Sequence, residues 1–387
     1  MVSPTPRTYW LDRIERAWRH RSIIWLSGVR RVGKTCLVRS LPDVEYFDCE
    51  LPSVRRQLVD PESFLGGLAG RRVALDEIHR LSDPSELLKI AADHFPETCV
   101  IATGSSTLQA STKFRDTLTD RKTDIWLTPM ATPDLRDFER PDLLHRLTAG
   151  GLPPFFLDDE RQPGTYQDWI DSYWAKDVQE LFRLERRHAF QRLIELIMTN
   201  SGGIFEASRF AAPMEASRQT VNNYLAVLEA TRVAHVVRPF SSRQSTEIVS
   251  APKVYAFDTG FVSFYRGWRE LRPEDLGILW EHFVLNEIQA LLPGVGVHYW
   301  RDKQHHEIDF VVPFGGKSPA TIECKWSAGA GLDAASLASF RRRYPGGPDL
   351  AVAHNVDRSF TSREGGLPVS WVGLDDMLAR LRAYAAS

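Results

Sequence analysis

The chain has 387 residues, which is more than a single hydrophobic core normally serves, so we expect two or three domains. Its content of 43% hydrophobic and 25% charged residues is that of a globular protein, and its four cysteines, which lack a C-x-x-C spacing, argue against zinc sites and disulfide frameworks. The net charge of −2 excludes a generally basic protein, so any contact with nucleic acid must come from a local basic surface.

The N-terminal residues are polar and include prolines, and they lack the apolar segment of a secretory signal. The sequence also has no uninterrupted apolar stretch that is long enough to span a bilayer. We therefore expect a cytoplasmic protein that has no contact with the membrane.

The first apolar strand is predicted at residues 23–26, and the segment after it fits the pattern G-x-x-x-x-G-K-[ST]. A strand, a glycine-rich turn and a helix in this order distinguish a phosphate-binding loop from a chance match. We expect backbone N–H groups to surround phosphate oxygens, the Lys34 ammonium to add positive charge, and the Thr35 hydroxyl to ligate Mg²⁺. The predicted nucleotide-binding residues are Gly28, Val29, Arg30, Arg31, Val32, Gly33, Lys34, Thr35 and Cys36.

Four further apolar runs follow, separated by helix-like segments such as residues 84–94. These runs are residues 44–47, 73–75, 99–102 and 125–127. Short apolar strands that alternate with helices predict a mostly parallel sheet with both faces covered. Ligands of such sheets bind at the carboxyl ends of the strands, which is where the phosphate-binding loop lies.

Candidate catalytic residues follow two of these strands. Asp76 ends the third run and is expected to hold Mg²⁺ through water, and Glu77 is expected to polarise the attacking water as a general base. Thr103 and Ser105 follow the fourth run, where they can contact the γ-phosphate; the alternative is an ordinary Gly- and Ser-rich turn. Among the downstream arginines we favour Arg121 as a finger that reaches a neighbouring subunit's nucleotide, against the alternative of a solvated surface arginine.

Several motifs together resemble one known family, the bacterial and archaeal AAA-type ATPases that carry a C-terminal domain of unknown function. The motifs are G-V-R-R-V-G-K-T, L-D-E-I-H, A-T-G-S-S and L-T-P-M, followed by G-G-L-P at residues 150–153 and Y-W-A-K-D-V at residues 173–178. The resemblance covers nearly the whole chain. It implies that the cofactors are ATP and Mg²⁺. It also implies that hydrolysis is coupled to assembly of a homo-oligomer, for which a hexamer is one possible form.

The middle of the chain predicts a winged helix. The elements are helices at 169–184 and 189–200, shorter helical segments at 205–212 and 217–225, and two strands at 233–237 and 253–257. Two helices joined by a turn and followed by a β-wing form a layout that reads DNA, and Ser217 is expected to cap the second helix. The residues expected to contact DNA are Arg218, Gln219, Asn222 and Asn223. The alternative is a packing or lid module whose polar residues are merely solvated.

The last part of the chain resembles the restriction-endonuclease-like pattern D…(D/E)-x-K. Asp309 lies on one predicted strand, and Glu323 and Lys325 lie on one face of the next, while Cys324 points inward. We expect Asp309 and Glu323 to share a divalent cation, Lys325 to orient or deprotonate water, and Glu281, on a helix predicted at 279–292, to complete the acidic group. The alternative is a domain that kept this scaffold but only binds.

A local basic surface is predicted from Arg301, Lys303 and the run of arginines at residues 341–343. These side chains could contact phosphates, and the alternative is an ordinary charged helix surface.

The sequence therefore predicts an α/β protein with three domains. Residues 1–140 are expected to form a P-loop AAA-type parallel sheet, residues 141–275 a helical and winged-helix region, and residues 276–387 a restriction-endonuclease-like α/β domain. The leading hypothesis is a Mg²⁺-dependent ATPase that acts on DNA. Branched DNA is the suggested substrate because the nuclease-like pattern resembles that of archaeal Holliday-junction resolvases. One alternative is an ATP-controlled switch that binds a protein partner and has a catalytically silent nuclease-like domain. A kinase or transferase is a third interpretation, but no acceptor pocket is recognisable in the sequence.

Overall fold

The structure, a computed structural model, describes residues 5–104, 112–158, 160, 162, 164–182, 186–241, 251–268 and 270–387. The chain folds into two compact units. The first comprises Met1–Arg146, Gly150–Arg187 and Ala226–Val233, and the second comprises Leu147–Ala149, His188–Leu225 and Ala234–Ser387. The division into three domains near residues 140 and 275 stays a prediction.

A five-stranded parallel sheet forms the centre of the first unit. Its strands are β1 (Ile23–Ser27), β2 (Val44–Asp48), β3 (Arg72–Asp76), β4 (Cys99–Thr103) and β5 (Lys122–Trp126). They lie in the order β2-β3-β4-β1-β5, and every neighbouring pair is parallel. All five residues of β1 are buried, as expected for a strand covered on both faces. The predicted parallel sheet is confirmed.

Helices connect and cover these strands. They are α1 (Thr8–Trp18), α2 (Lys34–Arg39), α3 (Pro52–Gln57), α4 (Pro61–Gly66), a 3₁₀ turn (Ile78–Arg80), α5 (Pro84–His94), α6 (Thr112–Thr117), α7 (Thr132–Asp137), α8 (Leu143–Ala149), α9 (Pro153–Phe156), α10 (Gly164–Tyr173), a π-helical turn (Trp174–Val178) and α11 (Gln179–Phe182). The continuous helix predicted at 169–184 is thus interrupted. The N–H of Gln179 bonds the carbonyl of Trp174, five residues back, which is the hydrogen bond of a π turn.

A small three-stranded sheet and three helices come next along the chain. The elements are α12 (Arg187–Thr199), β6 (Gly203–Ile204), α13 (Ala207–Ala211), α14 (Arg218–Ala230), β7 (Ala234–Val237) and β8 (Lys253–Ala256). The strands are antiparallel in the order β6-β8-β7. Ser217 accepts a hydrogen bond from the N–H of Thr220 at 3.1 Å, which confirms its predicted role as the cap of α14. The sequence of helices and strands is compatible with a winged helix, which stays a prediction.

A six-stranded mixed sheet forms the rest of the second unit. The elements are α15 (Thr259–Tyr265), α16 (Pro273–Leu291), β9 (His298–Arg301), β10 (Glu307–Val312), β11 (Ala320–Lys325), α17 (Ala334–Arg343), β12 (Asp349–Ala353), β13 (Phe360–Glu364), β14 (Leu367–Val372) and α18 (Leu374–Ala386). Strands β11, β12 and β14 are parallel to one another, and the outer strands pair antiparallel in the order β13-β14-β12-β11-β10-β9. Within the described ranges, no helix has the length and apolar character needed to cross a bilayer.

Candidate functional site

The phosphate loop joins the end of β1 to the start of α2, and its backbone depends on two glycines. A Cβ atom on Gly28 would lie 2.7 Å from the carbonyl oxygen of Leu127 and 2.9 Å from a methyl group of Val32. Gly33 has a φ of 99°, in the left-handed region that side chains rarely adopt. The loop therefore takes its course only with glycine at these two positions.

Lys34, the first residue of α2, turns its side chain back onto this loop. Its ammonium group donates to the carbonyl oxygens of Gly28 at 2.9 Å and Val29 at 3.4 Å. Burial lowers the pKa of this ammonium, while the carboxylates of Glu77 and Asp177 oppose the shift. The lysine thus lies among acidic groups, in the loop where the sequence predicts phosphate binding.

Asp76, at the carboxyl end of β3, accepts hydrogen bonds from three hydroxyl groups. Its carboxylate accepts hydrogen bonds from Thr35 at 2.8 Å, from Tyr46 at 2.6 Å and from Thr103. Hydroxyl and carboxylate oxygens are the ligands that Mg²⁺ prefers, so the Thr35–Asp76 pair fits the predicted ion. Tyr46 was missed by sequence reasoning. Burial and the Asp76 hydrogen bond raise the pKa of its phenol, so it remains a hydrogen-bond donor.

Glu77 follows Asp76 directly and leaves the strand with a positive φ of 55°. Its N–H donates to the Thr103 hydroxyl at 3.1 Å, and its carboxylate lies 3.1 Å from Nδ1 of His79. Burial alone would raise the pKa of this carboxyl. The contact with His79 and the charge of Lys34 outweigh burial, so the pKa lies below its ordinary value and the group is ionised at neutral pH.

Lys34, Thr35 and Glu77 line a cleft of about 310 Å³ within the first unit. The phosphate loop from Arg30 to Cys36 forms one side, and further lining comes from Glu50, Glu77, His79, Arg80, Pro153, Pro154, Lys176 and Asp177. The cleft therefore brings a glycine-dependent loop, a lysine and an ionised carboxylate into one enclosure at the carboxyl edge of a parallel sheet.

A family profile described as "AAA domain" matches residues 20–135, which include this loop and all five strands of the sheet. Residues 20–135 therefore form an AAA domain by this similarity. Two profiles described as "Domain of unknown function", DUF8612 and DUF4143, match residues 140–272 and 276–370. The chain thus continues from the AAA-type domain into a region for which the matching descriptions give no function.

Two mycobacterial relatives are similar over most of the chain. The uncharacterized proteins Mb2031c of Mycobacterium bovis and Rv2008c of Mycobacterium tuberculosis are each 27% identical over 325 residues, which are 81% of this chain and 72% of theirs. Among solved structures, the Walker-type ATPase PABY2304 of Pyrococcus abyssi has a TM-score of 0.41 and 15% identity, with 67% of this chain and 95% of that chain covered. AMPPCP-bound DnaA of Aquifex aeolicus has a TM-score of 0.31 and 12% identity, with 60% and 90% covered. Likenesses of this size carry no argument about activity.

The π-helical turn contacts the phosphate loop of the AAA-type domain. Asp177, within the turn, lies 3.3 Å from the guanidinium of Arg30, and the indole N–H of Trp169 donates to the carbonyl of Arg30 at 3.1 Å. Turns of this kind often occur at functional sites because the extra residue redirects side chains. The Y-W-A-K-D-V motif therefore contributes to the nucleotide cleft, which the sequence did not predict.

A buried ion pair fixes the other side of the loop. Arg7 donates two hydrogen bonds to the carboxylate of Asp134, at 2.8 and 2.7 Å, and a third to the carbonyl of Val32 at 3.0 Å. Arg7 is 4% exposed and Asp134 is 0% exposed. The residues before α1 thus hold the phosphate loop to the segment after β5. No local pattern marks Arg7, because its partner lies 127 residues away.

Among the predicted residues that the structure describes in this domain, Gly28, Val29, Asp76, Thr103 and Arg121 do not line the cleft. Ser105 lies outside the described residues. Arg121 precedes β5, at the edge of the sheet opposite the phosphate loop, and its guanidinium donates to Asp93 at 2.8 Å. A finger that acts on a neighbouring subunit need not line its own cleft, so the role of Arg121 stays a prediction.

The predicted DNA-contacting residues share one exposed surface of α14. Arg218, Gln219, Asn222 and Asn223 are all exposed, and the amide of Gln219 donates to that of Asn223 at 2.9 Å. The buried side chains of this helix include those of Val221, Tyr224 and Leu225. The polar face is accessible, and its contact with DNA stays a prediction.

The acidic residues of the second unit lie near one another, and we call Glu281, Asp309 and Glu323 the carboxyl cluster. Asp309 accepts a hydrogen bond from the N–H of Cys324 at 2.8 Å, and Lys325 lies 3.4 Å from Glu323. The pairing of β10 with β9 is irregular between Ile308 and Val311, around Asp309, and such bulges are frequent beside active sites. Cys324 is buried as predicted. Burial and the charge of Asp309 raise the pKa of Glu323 well above its ordinary value.

A lysine that sequence reasoning missed occupies this neighbourhood. The ammonium group of Lys253, from β8, lies 3.4 Å from Glu281 and 2.5 Å from Glu307, and Lys253 is 5% exposed. Burial opposes its charge, but the nearby carboxylates outweigh burial and raise the pKa of the ammonium. Across the described part of the chain, no group of three or more His, Cys, Asp or Glu side chains is arranged to hold a metal ion. The metal role predicted for Asp309 and Glu323 stays a prediction.

Proposed function

We propose that the protein is a Mg²⁺-dependent ATPase of the AAA type that acts on DNA as a homo-oligomer. The observation that carries the ATPase part is the shared cleft: Lys34 lies beside the glycine-dependent loop, and Glu77 lies within the same enclosure with a carboxyl pKa held below its ordinary value. A general base must be unprotonated at working pH, and Glu77 meets this condition.

Each residue then has a defined task. The loop N–H groups and Lys34 hold the phosphates of ATP, and Thr35 with Asp76 would hold the magnesium ion, which neutralises phosphate charge when it is bound. Glu77 accepts a proton from the attacking water, and His79 keeps this carboxylate ionised and oriented. Thr103 bonds both Asp76 and the N–H of Glu77, so it couples the metal-holding residue to the base.

The test is ATP turnover by three variants. Lys34→Ala should abolish hydrolysis, and Glu77→Gln should still bind ATP while its turnover falls about 10²- to 10⁴-fold, the usual worth of a general base. Lys89→Ala, an exposed lysine on α5, serves as the control and should hydrolyse ATP like the wild type. Unchanged turnover in Lys34→Ala would contradict the proposal.

Action on DNA is supported by the exposed polar face of α14, which carries Arg218, Gln219, Asn222 and Asn223. The test measures the ATPase rate with and without duplex, single-stranded and four-way DNA across a salt series. Stimulation that fades as salt rises is expected, because phosphate contacts displace counterions. A rate indifferent to all three DNAs would remove the DNA part and leave the ATPase part intact.

A second candidate is an ATP-controlled switch that binds a protein partner and has a silent nuclease-like region. The observation that favours it is the Lys253 ammonium beside Glu281 and Glu307. The test is cleavage of branched and linear DNA in Mg²⁺ or Mn²⁺ by the wild type and Asp309→Ala. The switch predicts no cleavage by either protein. Cleavage by the wild type that Asp309→Ala abolishes would instead support a nuclease.

A further inference from the structure

A second cleft, of about 1330 Å³, lies within the second unit, and we call it the basic cleft. Five basic side chains line it, those of Arg209, Arg266, Arg301, Lys303 and Arg343. Two carboxylates, those of Glu206 and Asp302, are the acidic groups in its lining. Because the whole chain has a net charge of −2, this excess of positive charge is local. The cleft is the kind of basic surface that a protein of this composition needs to contact a polyanion.

Both carboxylates are engaged by neighbouring groups. Glu206 pairs with Arg209 at 2.9 Å. Asp302 accepts hydrogen bonds from the His306 ring at 2.8 Å, from Ser339 at 3.1 Å, and from the backbone N–H groups of Gln304 and His306. Burial opposes ionisation of Asp302, but these donors lower its pKa to about 2. Asp302 therefore shapes the turn between β9 and β10, and its charge is already satisfied there.

Several cations keep their charge available. Lys303 and Arg343 are exposed, and neither forms an ion pair with any residue that the structure describes. Arg266 donates to the carbonyl oxygens of Thr199 at 2.7 Å and Ser201 at 3.3 Å, which fixes its guanidinium without cancelling its charge. Arg341, by contrast, is buried and pairs with Asp349, so it does not belong to the basic surface that the sequence predicted.

We propose that the basic cleft binds the phosphodiester backbone of DNA, an inference that rests on the proposed action on DNA. Arginine and lysine supply most contacts to nucleic-acid phosphates, and a concave surface of one charge concentrates the field that attracts a polyanion. A flat lipid surface cannot enter a concave site of this kind. The contacts available are to phosphate, so binding is independent of base sequence.

The basic cleft also adjoins the carboxyl cluster. Arg301, which lines the cleft, lies 3.7 Å from Glu307, and the same carboxylate contacts Lys253 at 2.5 Å. Glu307 begins β10, the strand that carries Asp309. Because Lys253 also lies 3.4 Å from Glu281, a chain of ion pairs links the lining of the cleft to the carboxyl cluster.

The test compares a double variant, Lys303→Ala with Arg343→Ala, with Arg342→Ala. Arg342 neighbours Arg343 on α17 and is exposed, but it does not line the cleft, so it is a matched control. Fluorescence anisotropy of the full-length protein measures binding of labelled duplex DNA, single-stranded DNA and RNA across a salt series. The double variant should bind DNA about tenfold more weakly at low salt, and its slope of log K against log salt should fall by about 2, one for each phosphate contact removed. Arg342→Ala should match the wild type.

Three results would overturn the inference. If the wild type binds DNA and the double variant binds equally well, the cleft is not the binding site, although the action on DNA can stand. If Arg342→Ala weakens binding as much as the double variant does, the surface charge is diffuse and the cleft has no special role. If RNA binds more tightly than either form of DNA, the ligand assignment is wrong. A wild type that binds no DNA at all would instead remove the proposed action on DNA itself.

Discussion

Gly28 decides the path of the phosphate loop because the space beside it is already filled. A methyl group there would lie 2.7 Å from the carbonyl oxygen of Leu127, and real Cβ atoms do not approach so closely. We therefore expect Gly28→Ala to displace the loop and to remove ATP binding, at a cost of about 1–3 kcal/mol in stability. Titration calorimetry with ATP and denaturant unfolding measure the two effects.

The matched control is Gly277→Ala, within α16, where a Cβ would meet no heavy atom within 4 Å. This change should leave ATP binding intact and should stabilise the helix by about 0.5–1 kcal/mol, since alanine loses less entropy in a helix than glycine. If Gly28→Ala binds ATP like the wild type, the steric account of the loop fails.

His79 is one of the groups that keep the predicted base, Glu77, ionised. Its ring lies 3.1 Å from the Glu77 carboxylate and lowers the carboxyl pKa against the effect of burial. Without the imidazole ring, one of the groups that counteract the effect of burial is lost, so the pKa of the Glu77 carboxyl rises. As the pH is lowered, the kcat of His79→Ala should begin to fall at a higher pH than the kcat of the wild type. Above neutral pH the two kcat values should converge, because Glu77 is then ionised in both proteins. An acid limb that does not move would show that His79 has no such influence.

At the scale of elements, the segment before α1 is tied to the segment after β5 by the Arg7–Asp134 pair. Arg7→Ala would leave the carboxylate of Asp134, which is fully buried, without its guanidinium partner. Breaking a buried pair in this way costs about 3–5 kcal/mol, so we expect the urea midpoint of the first unit to fall clearly.

Arg71→Ala provides the comparison, because Arg71 pairs with Glu45 on the surface and its side chain is 59% exposed. Exposed pairs of this kind contribute about 0.2–1 kcal/mol. Equal midpoint changes in the two variants would contradict the assignment of Arg7 as a buried clamp on the phosphate loop.

Local sequence patterns predicted the elements better than they predicted the contacts between them. The five strands of the first sheet follow from short apolar runs, and the phosphate loop follows from the spacing of its glycines and Lys34. The π turn was missed because it is a local change from hydrogen bonds four residues apart to hydrogen bonds five residues apart, which no residue type marks in the sequence. Lys253 was missed because it lies on β8, which is remote in sequence from the residues it contacts on α16 and β10.

At the scale of the whole molecule, the small net charge conceals local excesses of positive charge. The net charge is −2, yet five lysine or arginine side chains line each of the two clefts, together with three carboxylates in the cleft of the first unit and two in the basic cleft. The composition could therefore predict only that any contact with nucleic acid is made by a local basic surface. Arg301, Lys303 and Arg343 were predicted to form such a surface, whereas Arg209 and Arg266 could not be assigned to it because they lie far from the others in the sequence.

Magnesium-dependent nucleotide binding is the first requirement of the proposed function, and isothermal titration of the protein with ATP tests it directly. The wild type should bind ATP in the presence of Mg²⁺ and bind it more weakly in EDTA, because Thr35 and Asp76 act on the phosphates through the ion. Lys34→Ala should bind weakly under both conditions. A wild-type protein whose affinity for ATP is absent, or the same with and without Mg²⁺, would contradict the central claim.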